Sequence, residues 1–167
     1  RAVRFIETQL RNNSGKLCHT WRAGKASLDV YLDDISYLVD ALVELFQVDS
    51  HESYLAMASE LGEKLLTEFN DPNGGFFFTA HGHEPLIARS KDLADSSVPS
   101  GNSMAATALV TLGRLTGRDD FLKAAERALI AASGVMSSSP QAAGQALRAL
   151  LRFTQPSKEL VLFAAPT

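Results

Sequence analysis

The sequence predicts an all-α fold: an α/α toroid-type array of helical hairpins, a partial ring of about six helices, with short β-hairpins at one rim. Three observations carry this. Helical apolar spacing recurs along the whole chain; segments apolar nearly all round alternate with segments bearing a single apolar stripe; and the order of these patterns repeats at a fixed offset. Composition agrees, since 46% hydrophobic and 21% charged residues in a chain of 167 is ordinary for one globular domain spanning 1–167.

Val3, Ile6 and Leu10 lie at helical spacing with Arg4, Glu7 and Arg11 between them, which predicts an amphipathic helix over 2–12 ended by Asn12-Asn13-Ser14-Gly15. Lys16–Trp21 reads as a short strand, and Arg22–Lys25 as the turn into a second. Over 33–48, Ile35, Leu38, Val39, Leu42, Val43, Leu45, Phe46 and Val48 cover more than half the circumference, so that helix is buried. The next, over 52–69, carries one stripe of Tyr54, Ala58, Leu61, Leu65 and Phe69. It stops at Asn70-Asp71-Pro72-Asn73-Gly74-Gly75, where proline lacks a donor and glycine takes backbone angles that other residues avoid.

Phe76–Thr79 reads as a strand, turned by His81–Glu84 toward Leu86–Arg89 as a second hairpin. The segment 102–116 has almost no polar side and should be the central helix. It is followed by an amphipathic helix over 119–134 with the stripe Phe121, Ala125, Ala128, Leu129 and Ala132, and by a third mainly apolar helix over 141–154. Leu160–Ala164 closes as a strand-like run.

Sliding the chain by 67 residues lays Ala41-Leu42-Val43 on Ala108-Leu109-Val110, Leu45 on Leu112, Tyr54 on Phe121 and Ala58 on Ala125. Sliding by 59 lays Ile6 on Leu65, Leu10 on Phe69 and Gly15 on Gly74. Each unit is therefore a buried helix, an amphipathic helix and a hairpin or long loop, and the chain begins halfway through a unit. The inner helices should all start on one rim, framing the mouth of a pocket. A tetratricopeptide scaffold is the rival reading, since 67 is nearly twice the roughly 34 residues of that repeat. The long stretch between Asn70 and Pro99 has no place in such an array.

Net charge of −3 with scattered basic residues gives no footprint for nucleic acid. The longest uncharged run, 128–147, holds serines, glutamines and Pro140, which excludes a membrane span. A single cysteine, Cys18, forbids an internal disulfide, and with no signal-peptide pattern ahead of it the cytoplasm is the expected compartment. The chain opens on Arg1 inside a helical pattern, which implies a fragment of a longer protein.

Four stretches, Leu32-Asp33-Asp34-Ile35-Ser36-Tyr37, Asp71–Thr79, Arg89-Ser90-Lys91-Asp92 and Pro99–Ser103, in this order and spacing resemble the C-terminal helical region of the YyaL-type, spermatogenesis-associated thioredoxin-like proteins. The resemblance covers nearly the whole chain. It implies an (α/α) barrel similar to N-acylglucosamine 2-epimerases and six-hairpin glycosidases, joined in the longer protein to an N-terminal thioredoxin-like domain. It further implies a pocket for a sugar-like small molecule; no cofactor is expected.

The candidate site gathers where the inner helices begin. Asp33 and Asp34 suit helix capping, worth roughly 0.5–2 kcal/mol, or one caps while Asp34 meets a ligand hydroxyl or serves as acid or base, with Tyr37 a turn further in. Asp92 and Asp95 suit salt bridges with Lys91 or Arg89 as well as a catalytic pair. Ser100-Gly101-Asn102-Ser103 is either a capping turn or a nest of N–H donors for an anion or sugar hydroxyl. Trp21, with Arg22 and His19, suits stacking on a sugar ring or partly buried packing. His81 and His83 flank Gly82 with no third ligand nearby, so no metal is expected. Phe76–Phe78 should be core on alternate sides, and Cys18 a small buried hydrophobe. Six helices are half of what a closed ring needs. The flanking residues Val3, Ile6, Leu147, Leu150, Leu151 and Phe153 should then be exposed, favouring self-association or packing against the rest of the chain.

Overall fold

The computed structural model of the protein describes residues 1–83, 88–156 and 158. Among these residues the elements are α1 (Ala2–Gln9), β1 (Cys18–Arg22), β2 (Lys25–Asp29), α2 (Leu32–Asp49), α3 (Glu52–Lys64), α4 (Gly101–Thr116), α5 (Asp119–Ser138) and α6 (Gly144–Thr154). The fold is all-α with one short antiparallel hairpin, β1–β2, registered with Cys18 opposite Asp29 and Arg22 opposite Lys25. No helix among the described residues is long and apolar enough to cross a membrane.

Helix α4 is the centre. It is buried from Gly101 to Gly113 at every position but Thr111, because α2 packs on one side of it, α6 on another, and α5 behind. Helix α3 packs on α2, so α2, α4 and α6 form one layer backed by α3 and α5. The amphipathic stripes point inward as their spacing requires, with Ala58, Leu65, Phe69, Phe121 and Ala125 all at 0% exposure. At the end of α3 the last turn, Leu65–Phe69, widens into a π-helical turn, with both of those residues buried. Arg118 ties α3 to the start of α5 through Glu63 (2.8 Å) and Asp120, and lies over the Phe121 ring.

Equivalent positions of the repeat differ where their neighbours differ. Leu42 and Val43 are as buried as Leu109 and Val110, but Leu45 is 36% exposed where Leu112 is fully buried. The reason is position: α4 has a helix on each side and α2 has one on a single side, so the last turn of α2 leaves Val48 exposed and Phe46 half-buried. At the flanks, Leu147 and Leu151 are exposed, whereas Val3, Ile6, Leu150 and Phe153 are half-buried against the core.

Phe76–Thr79 does not form the expected strand, because its backbone groups are taken by separate partners. Phe77 N donates to Phe69 O, Phe78 N to Ser90 O, and Phe78 O accepts from Leu32 N, while Phe76 pairs with a side chain. Only single bridges to Asn70 and Tyr31 remain. The expected return strand at Leu86 and Ile87, and the closing run at Leu160–Ala164, lie outside the described residues.

Close helix approach sets one test. A Cβ on Gly113 would lie 2.9 Å from Leu122 Cγ and 3.1 Å from the Arg118 carbonyl, whereas one on Gly134 would meet nothing within 4 Å. Urea denaturation should show Gly113→Ala destabilised by about 1–3 kcal/mol, as overpacking costs, and Gly134→Ala stabilised by about 0.5–1 kcal/mol.

Candidate functional site

The long segment between α3 and α4 is held by side chains from its own ends. Asp71 accepts from Asn73 N (2.8 Å) and pairs with Lys91, whose ammonium also donates to Gly74 O. That pairing, chiefly the Lys91 hydrogen bond, holds the Asp71 carboxyl below its ordinary range. Asn102, 2% exposed, accepts from Phe76 N at 2.7 Å and donates to Phe76 O and Asp92 O at 2.9 Å each. Ser100 caps α4, its hydroxyl accepting from Ser103 N (3.2 Å) and bonding to the Ser103 hydroxyl (2.9 Å). Asp95 joins two helix starts, accepting from Ser100 N at 2.9 Å and from Gln145 N at 2.8 Å. Lys91, Asp95, Ser100, Asn102 and Ser103 thus form a clamp whose polar atoms are engaged within the fold.

The starts of α2 and α4 touch. An added Cβ at Gly101 would sit 2.2 Å from Asp33 Oδ1, so the inner helices α2 and α4 begin on the same rim, and the Asp95 bonds bring α6 to it as well. Half-buried Asp33 is pushed up by its burial first, then by the nearby charges of Asp34 and Asp92, with a Gly101 backbone hydrogen bond opposing. Asp34 accepts from Tyr31 N (2.9 Å) and meets His19 Nδ1 at 2.8 and 3.0 Å. Tyr37 donates its hydroxyl to Pro99 O (2.9 Å), and burial, then Asp33 and Asp95, push its phenol up.

Asp33, Asp34, Tyr37 and His19 line a cleft of about 420 Å³ whose floor is Ile6, Leu10, Leu17, Leu38 and Ala41. Trp21 stands on the same side of β1 as His19, two residues on, 42% exposed and edge-on to Phe5 at 5.5 Å. Arg22 pairs with Lys25 at the hairpin's far end, and exposed Asp92 accepts from Ala94 N (3.3 Å) beside the rim. Asp34 and Tyr37 therefore share a cleft, and Asp33 and His19 join them. The His19–Asp34 pair spans 15 residues and has no local signature; only the hairpin brings β1 back over the start of α2. Chemically, two adjacent carboxyl groups, Asp33 pushed up by its burial and Asp34 paired with the His19 imidazole, present oxygens side by side to a ligand hydroxyl. Among the described residues no group of three or more potential ligands is placed to hold a metal ion.

No family model matches the chain. Over 138 residues, 81% of the chain, it is 30% identical to spermatogenesis-associated protein 20 of Mus musculus and 31% identical to that of Rattus norvegicus. The human protein of that name is 30% identical over 134 residues, 79% of the chain. This chain is homologous to spermatogenesis-associated protein 20. It spans 18% of the length of the mouse and rat proteins. The relationship to spermatogenesis-associated protein 20 agrees with the family resemblance carried by the Leu32–Tyr37, Asp71–Thr79, Arg89–Asp92 and Pro99–Ser103 stretches, the same segments that build the rim and its clamp.

Two acids should titrate with opposite consequences for stability. Asp71, depressed, contributes stability above the ordinary carboxyl pKa near 3.8 that is lost as pH falls through its folded value; Asp33, raised, costs stability as pH climbs from about 3.8 through its folded value. Denaturation across pH should therefore show Asp71→Asn less stable than the parent at neutral pH and Asp33→Asn more stable, both differences shrinking in acid. Asn102→Ala, which leaves the buried Phe76 N–H and C=O unpaired, should cost about 2–4 kcal/mol by urea denaturation.

Proposed function

We propose that this domain is a small-molecule-binding module whose rim cleft takes a sugar-like, polyhydroxylated ring. The observation that carries the reading is the start of α2: two carboxyl groups, an imidazole and a phenol stand over an apolar floor in one cleft. Carboxylates accept paired ring hydroxyls, apolar side chains meet the C–H face of a sugar, and the half-exposed Trp21, on the same side of β1 as His19, is the nearest candidate stacking surface on that strand. In a reactive complex Asp33 is the proton donor and Asp34, oriented by His19, the acceptor. Asp92, beside Asp33, tunes the proton affinity of that carboxyl, while Asp95 holds the rim in shape. Within the longer protein this region serves as the sugar-processing part beside a thioredoxin-like domain, and the free thiol of Cys18 supports a cytoplasmic setting.

A second reading, a non-catalytic packing scaffold, is favoured by exposed Leu147 and Leu151 on α6, which suit self-association or contact with the remainder of the chain. One experiment separates the two: calorimetric titration of the domain with a panel of monosaccharides and polyols, alongside sedimentation over a concentration range. The first reading expects at least one saturable ligand whose affinity falls about tenfold, or roughly 1.4 kcal/mol, in Asp33→Asn and in Tyr37→Phe. No binding across the panel, together with self-association abolished by Leu151→Glu, would overturn it in favour of the scaffold.

A further inference from the structure

With Asp33 ionised, every polar side chain that lines the rim cleft meets it as an acceptor or is engaged within the fold. Tyr37 spends its one proton on Pro99 O (2.9 Å), so toward the cleft its oxygen accepts. Asp34 takes the Tyr31 N–H at 2.9 Å and meets His19 Nδ1 at 2.8 Å; in the neutral imidazole that donates from Nδ1, Nε2 is an acceptor too. Cys18 turns its Sγ to Lys16 O (3.6 Å). The other side chains of the described lining are apolar.

Charge runs the same way. No lysine or arginine is among the described lining, and Arg11, next to the floor residue Leu10, donates to Gly15 O (2.8 Å) instead. Asp33 is pushed up by burial first and then by Asp34 and Asp92, and Tyr37 by burial first and then by Asp33 and Asp95, so each charge felt at these two groups is negative. Asp33 is half-buried and forms no ion pair among the described residues, whereas Asp34, Asp71 and Asp120 each form one. The residues outside the described ones carry Glu84 and Glu159 but no lysine, arginine or histidine, so no cationic side chain can reach the rim from them.

We propose that the polyhydroxylated ring taken by the rim cleft carries an amine: the cleft selects an amino sugar in its ammonium form over neutral sugars and rejects acidic ones. This rests on the reading of that cleft as a sugar-like site and adds its substrate class. In the bound ground state the ammonium brings three N–H donors and a positive charge to Asp33, ring hydroxyls donate to the Tyr37 oxygen and to Asp34, and the C–H face lies on the apolar floor. A neutral sugar supplies the hydroxyl donors and leaves Asp33 without a counter-charge. A uronate or a sugar phosphate adds a further negative charge to a rim that already bears Asp33, Asp34, Asp92 and Asp95.

The test is calorimetric titration of this chain near neutral pH, with backbone amide shifts to locate binding. Galactosamine, galactose and galacturonate share one ring and differ in charge, and cyclohexylamine carries the ammonium without hydroxyls. Galactosamine should saturate shifts at Asp34 and Tyr37, bind about tenfold more tightly than galactose and weaken as salt is raised, while galacturonate has no effect. Asp33→Asn, expected above to be the more stable protein at neutral pH, should bring galactosamine down about tenfold, to the level of galactose. Tyr37→Phe should weaken both sugars alike and preserve their ratio, since it removes a hydroxyl acceptor and no charge. Galactose matching galactosamine at these residues, galacturonate binding there, or indifference of galactosamine to Asp33→Asn would overturn the amine preference and leave the sugar site standing. Cyclohexylamine binding as tightly as galactosamine, or no saturable shift from any probe, would overturn the sugar site and the amine preference with it.

Discussion

Three hydrogen bonds from one buried amide close this molecule. Asn102, in the first turn of α4, holds both backbone groups of Phe76 and the carbonyl of Asp92, so the long excursion from α3 returns to the central helix at two points. A buried N–H or C=O left unpaired costs about 1–3 kcal/mol, and among the described residues no strand pairs these two groups of Phe76 instead. With Phe76 fixed, Phe77 falls under Arg89 and Lys91, Phe78 against Tyr31, and the chain delivers Phe78 O to the first free N–H of α2. The start of α2, and with it the rim, is placed by a contact that begins at Asn102.

The rim concentrates negative charge where helix dipoles favour it and where burial resists it. Asp33, Asp34, Asp92 and Asp95 stand around the first turns of α2, α4 and α6, whose free N–H groups donate readily to carboxylates. Two of the four settle the matter by bonding: Asp34 with His19 and the Tyr31 N–H, Asp95 with two helix starts. At Asp33 burial and like charge outweigh the one backbone donor, so the balance of its proton shifts upward. The same rule operates further down α2, where Asp40 is pushed up by burial and Glu44 against the pull of Arg152 and Arg148 on α6.

Polar groups recur along the facing sides of α4 and α6 and are answered across the gap. Gln145 donates to the Thr107 hydroxyl at 2.9 Å, and Arg152 reaches Thr111 at 3.2 Å and Glu44 at 3.8 Å. A buried amide or hydroxyl must find such a partner, so these pairs set the register of α6 on α4 as Asp95 sets its starting point. Ala149, one turn on from Gln145 on the same side of α6 and fully buried, is small enough to let the helices approach for the bonds to form.

The sequence by itself determined the helices, their order and which face each buries, because those depend on periodicity and on breaks such as Asn70–Gly75 and Gly117 that act within a few residues. It also marked the rim, since Asp33-Asp34 and Ser100–Ser103 carry helix-start signals wherever they stand. Only the tertiary structure decided what those residues do. Lys91, Asp95, Ser100, Asn102 and Ser103 read equally as ligand donors or as structural bonds until the partners, 3 to 50 residues away, are in place. His19 joined Asp34, and Phe76–Thr79 gave up its strand, for the same physical reason. A hydrogen-bonding group goes to whichever partner the packed core brings within about 3 Å, and that choice is made by neighbours in space rather than in sequence.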